Sequence, residues 1–131
     1  MELFIAFATD NGKNFNDDHF GMAKYYQIYR FCDDAEEFVE QRENVEFQED
    51  EYKKHGDPEK AQATSSVLTG VDVLVTKKFG PNITRMVRKF VCVVVRTNVI
   101  SDAIKIVKNH MDEVIRKKSK AKDRRHLIFK Q

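Results

Sequence analysis

The sequence predicts an α/β domain: a mixed, five-stranded sheet with helices on both faces, in the order β-β-β-α-β-α-β-α. Three observations carry this. Leu3–Ala8, Val71–Val75 and Val91–Val95 are short runs dominated by apolar residues, as in strands buried on both faces. Ile83, Met86, Val87 and Phe90 recur at helical spacing, as do Val99, Ala103, Ile104, Val107, Met111, Val114 and Ile115. In the second half strand and helix alternate, and two βα units imply parallel strands joined by right-handed crossovers.

The elements follow in order. Leu3–Ala8 is a buried strand that ends in the turn residues Thr9-Asp10-Asn11-Gly12. Asn14–Gly21 is too polar and short for a core element and reads as a loop. Tyr25–Phe31, aromatic and β-branched, is a second strand, and Asp33-Asp34 a turn. Glu36–Phe47 has apolar residues that suit a strand of one parity or, less well, a helix. Strand is preferred because a turn and a hairpin partner precede it, and its charges would protect an exposed edge. Gln48–Gly56 is a solvated loop carrying His55. Asp57-Pro58-Glu59 starts a helix, with Asp as N-cap, Pro at the first position and an acid in the first turn; it runs to about Thr69 and stops at Gly70. After the strand at Val71–Val75, Gly80-Pro81 punctuates the chain, with proline suited to the first position of the next helix. Val91–Val95 is a strand, and a long amphipathic helix begins at Thr97 or Asn98. Residues 1–117 form the domain and 118–131 a basic tail, within which Leu127-Ile128-Phe129 is apolar enough to dock as a short strand.

Composition bounds the function. No apolar run approaches the ~18–20 residues of a membrane span, and the acidic start Met1-Glu2 lacks the basic region of a signal peptide. Two cysteines with no CxxC, Cys32 and Cys92, argue against a zinc ribbon or disulfide framework and suit a reducing cytoplasm. A net charge of +2 conceals asymmetry: residues 116–131 carry +7 against −5 for 1–115, and ten acids with one base lie between Asp33 and Glu51. The tail would suit an acidic partner or nucleic acid, or a solubilising end, and lacks the aromatics of a single-strand platform.

Sites in open α/β sheets lie beyond the carboxyl ends of the strands. Three segments converge there: Thr9–Gly12, the loop carrying His19, and Lys77–Asn82. A helix opening at Pro81 would turn its N–H groups and dipole toward an anion, with Lys77 and Lys78 adding charge.

Four features, in this order and spacing, resemble the dinitrogenase iron-molybdenum cofactor family, the small domains that include the carriers NifX and NafY and the C-terminal part of NifB. They are the opening strand ending in Thr9-Asp10; His19-Phe20-Gly21 before an aromatic strand; Gly70-Val71-Asp72-Val73-Leu74-Val75; and Gly80-Pro81-Asn82. They span about residues 1–115. The resemblance implies a ribonuclease-H-like motif with five strands and three helices. It also implies a cytoplasmic, non-catalytic carrier that receives an iron-molybdenum or other iron–sulfur cluster from a donor protein and passes it to an acceptor. The cluster would lie among Asp10, His19, Phe20, Gly21, Lys77, Lys78, Gly80, Pro81 and Asn82, with His19 as the metal ligand. Family members usually have two glycines where this chain has Lys77-Lys78.

Each residue also has a plainer reading. His19 would ligate metal or cap a turn. His55 would be a second ligand or a solvated side chain. Asp10 would bind a metal ion or hold its turn. Cys92 between valines reads as a small buried hydrophobe, and Cys32 beside two acids as a thiol with a raised pKa. A ribonuclease-H-like enzyme would need several carboxylates around paired metal ions; Asp10 is placed for this, and Asp72 lies at the wrong end of its strand. A receiver-like phosphoacceptor would need an acidic pair where only Asp10 stands.

Overall fold

The computed structural model describes residues 1–45, 58–120 and 125–130. The apolar run at the start forms β1 (Glu2–Thr9), which pairs antiparallel with β2 (Tyr25–Cys32), and β2 pairs antiparallel with β3 (Ala35–Glu43). The β2–β3 register passes from Ile28↔Glu40 to Tyr29↔Phe38, a bulge at Val39. On the other side of β1 the strands are parallel: β4 (Val73–Thr76), β5 (Val91–Val95) and β6 (Leu127–Phe129), giving the order β3-β2-β1-β4-β5-β6. Among the described residues the sheet therefore has six strands where five were expected. The sixth comes from the basic C-terminal segment. Phe129 is 2% exposed and stacks on His110 at 4.2 Å, so three apolar residues reach a core position that their basic surroundings concealed.

Among the described residues the helices number four rather than three. α1 (Pro58–Val67) follows the Pro58 start, and Asp57 lies outside the described residues. α2 (Ile83–Met86) is a single turn. The long C-terminal helix is broken into α3 (Ile100–Asn109) and α4 (Met111–Lys118) at His110, whose φ of −118° and ψ of 19° leave the helical region. One face of the sheet packs Leu3, Ile5, Phe7, Val73, Val75 and Val93 against Ala103, Ile104, Val107 and Val114 of α3 and α4. The opposite face packs Ala6, Ala8, Tyr26, Ile28, Leu74 and Cys92 against Phe20, Ala61, Leu68, Met86 and Phe90. β3 stands beyond both layers, with Phe38 and Val39 exposed among its acids. Among the described residues no helix is long and apolar enough to cross a membrane.

Candidate functional site

The first parallel strand leaves the sheet through a turn built by its own side chains. Thr9 Oγ1 accepts the N–H of Gly12 at 2.8 Å and donates to the Asn14 carbonyl at 2.6 Å. Asn11 Oδ1 accepts the N–H groups of Lys13 and Asn14, both at 2.9 Å, and Gly12 supplies the required φ of +83°. Asp10 Oδ1 accepts the Lys24 N–H at 2.9 Å and so ties this turn to the start of β2.

The loop that follows is held from inside. Asn16, 3% exposed, donates through its side-chain amide to the carbonyls of Asp18 (3.1 Å) and His19 (3.0 Å). Two donated bonds fix which end of the amide is nitrogen, and its Oδ1 finds no partner among the described residues. The chain then enters a 3₁₀ turn, Phe20–Met22. The Phe20 N–H reaches the Lys78 carbonyl at 2.9 Å, and the Tyr26 hydroxyl donates to the Phe20 carbonyl at 3.0 Å. The Phe20 ring stacks between Tyr26 (4.8 Å) and Phe79 (5.4 Å). Burial holds the Tyr26 phenol well above its ordinary pKa, so it stays a neutral donor.

These bonds bring the histidine loop onto the segment after β4. A Cβ on Gly80 would lie 2.5 Å from His19 Nδ1 and 2.9 Å from its Cγ, so the imidazole packs where only glycine leaves room. The His19 side chain keeps 28% of its surface. Beneath it opens a shallow cleft of about 30 Å³, far below the roughly 300–1,000 Å³ of a pocket that encloses a ligand. His19, Phe20 and Gly21 form one wall; Phe79, Gly80, Pro81, Asn82, Ile83 and Met86 form another; Lys60, Ala61 and Thr64 of α1 close the third.

Six of the nine residues expected at the site thus share one cleft: His19, Phe20, Gly21, Gly80, Pro81 and Asn82. Asp10 and Lys77 line a different, polar cleft with Asn11, Asn14, Asp17 and Asn98. There Lys77 Nζ donates to Asn98 Oδ1 at 2.8 Å and lies 3.6 Å from Asp17 Oδ1. Lys78 contributes its backbone carbonyl to the Phe20 N–H and leaves its side chain exposed. The single turn of α2 carries little macrodipole, so the anion attraction expected from a long helix at Pro81 is reduced. His55 lies outside the described residues. Lys60, Thr64 and Asn16 escaped sequence reading, because burial of a polar residue on a short helix or loop is decided by its neighbours in space.

Among the described residues no three His, Cys, Asp or Glu side chains are grouped to hold a metal ion. Cys92 is buried and Cys32 half-buried. Asp72 accepts the Phe4 N–H and the Lys118 ammonium, both at 2.9 Å. It precedes β4, whereas Asp10 follows the parallel β1, so the two carboxylates lie at opposite edges of the sheet.

A family model described as dinitrogenase iron-molybdenum cofactor matches residues 1–112 of the 131. No curated protein matches the chain.

Proposed function

The chain belongs to the dinitrogenase iron-molybdenum cofactor family, and from that premise we propose that it is a non-catalytic carrier of an iron-molybdenum or related iron–sulfur cluster. The cluster is its cargo, received from one protein and handed to another. The observation that carries this reading is the seating of the His19 imidazole directly on Gly80. It joins two of the family's short motifs, 61 residues apart in sequence, at one cleft.

The chemistry supports carriage. A neutral imidazole is a good ligand to iron or molybdenum at the borderline of hard and soft. One imidazole on a part-exposed rim suits an assembled cluster that arrives and leaves, whereas a closed set of ligands would retain it. The apolar side chains of Phe20, Phe79 and Met86 line the cleft beside His19, so a cluster would seat on this rim rather than inside it.

Anaerobic titration of isolated iron-molybdenum cofactor, followed by absorption and metal analysis, tests this. Wild type binds in a 1:1 ratio, and His19→Ala weakens binding at least tenfold with an unchanged circular dichroism spectrum. Equal affinity in both proteins removes His19 from the site, and no binding by wild type defeats the carrier reading.

A further inference from the structure

We propose that the polar cleft at the same sheet edge binds a small zwitterion, an α-amino acid or a molecule that likewise carries an ammonium and a carboxylate. The inference is independent of the carrier reading. Unlike the cleft beneath His19, this one has the size of a ligand site: about 310 Å³, within the roughly 300–1,000 Å³ of such pockets. β1 and β4 are parallel neighbours in register at Phe7↔Val75, so Asp10 and Lys77 leave adjacent strand ends. Opposite charges so placed can neutralise each other, and here they do not. Asp10 Oδ1 accepts the Lys24 N–H at 2.9 Å, while Lys77 Nζ donates to Asn98 Oδ1 at 2.8 Å and lies 3.6 Å from Asp17 Oδ1.

The hydrogen-bonding capacity left in the cleft has both signs. An ammonium has three donors, and Lys77 spends one on Asn98. Its approach to Asp17 is a loose pair with a fully exposed carboxylate, so it is worth little. On the acceptor side, Asp10 keeps its second oxygen. Asn16 lines the same cleft and is 3% exposed. Its amide nitrogen serves the Asp18 and His19 carbonyls, and its Oδ1 takes no hydrogen bond among the described residues. A buried oxygen left without a donor is costly, and a donor brought by a ligand offsets that cost. The charges then choose the ligand. Lys77 repels a simple cation, and Asp10 and Asp17 repel a simple anion. A zwitterion answers both, with its ammonium toward Asp10 and Asn16 and its carboxylate toward Lys77.

The test titrates glycine, the smallest α-amino acid, into the ¹⁵N-labelled full chain and follows amide chemical shifts. Saturable shifts are expected in residues 10–17 and around Lys77 and Asn98. Acetate and methylammonium, each carrying one of the two charges, should bind about tenfold more weakly or less, as should glucose, which offers hydroxyls without charge. Asp10→Asn keeps an oxygen for the Lys24 N–H and removes the charge; Lys77→Met removes the other charge. Each should weaken glycine about tenfold while the rest of the amide spectrum stays in place. Several outcomes overturn the proposal: no saturable shift with glycine, shifts confined to other parts of the chain, or acetate, methylammonium or glucose binding as well as glycine. Unchanged glycine affinity in both variants overturns it too. His19→Ala should bind glycine like wild type, so failure of the carrier reading and failure of this one are read separately.

Discussion

Glycine at position 80 is a contact requirement before it is a turn residue. The atom nearest to where a Cβ would stand is the His19 ring nitrogen at 2.5 Å, so any side chain must push the imidazole out of its seat. Gly80→Ala should therefore reproduce the binding defect of His19→Ala, with loss of at least tenfold in cluster affinity, and shift the melting temperature little. Tyr26 makes the complementary case. Its hydroxyl holds the Phe20 carbonyl, and burial raises its pKa in the folded state. The stabilisation is fully present below the unfolded tyrosine value, ~10, and is lost as the pH rises above it. Denaturant titrations of Tyr26→Phe should show about 1 kcal/mol lost at neutral pH and a shallower decline than wild type above pH ~10. At this scale His19 and Gly80 were legible because they sit in short motifs with unusual residues. Lys60 was not: a lysine two residues after a helix-starting proline reads as a solvated side chain, and its approach to Gly21 and Met22 depends on the tertiary fold.

Elements were legible where the pattern was long. The three apolar strands and the α3 face follow from periodicity, and β3 from its position after a hairpin turn. The sixth strand is three residues long and lies among basic residues, so its signal is weak; the parallel register Val93↔Leu127, Val95↔Phe129 draws it in. The strand is part of the core nonetheless. Phe129→Ala should cost about 3–5 kcal/mol in a chemical-denaturation measurement, and a cost below ~1 kcal/mol would mean that the segment contributes little. The helix after Pro81 was legible in position and not in length. Its apolar residues at Val87 and Phe90 keep a helical spacing, but only Ile83–Met86 is regular helix, and the chain closes through turns into β5.

At the scale of the whole molecule, the carboxyl edge of the parallel strands holds two clefts. The polar one is lined by Asp10, which accepts the Lys24 N–H, and by Lys77, which meets Asn98 and Asp17 of neighbouring loops. The other carries His19, Gly80 and Lys60, over the sheet face that packs against α1 and α2. Sequence reasoning located the edge and could not divide it, because the division depends on which way each loop folds over the strand ends. The account stands on direct contact between the His19 imidazole and a carried cluster. Pulsed electron paramagnetic resonance on the cofactor-loaded chain, with histidine labelled by ¹⁵N, reads that contact. The account predicts a histidine-nitrogen coupling to the cluster in wild type that disappears in His19→Ala. A wild-type spectrum without the coupling, or a coupling that survives in His19→Ala, would contradict it.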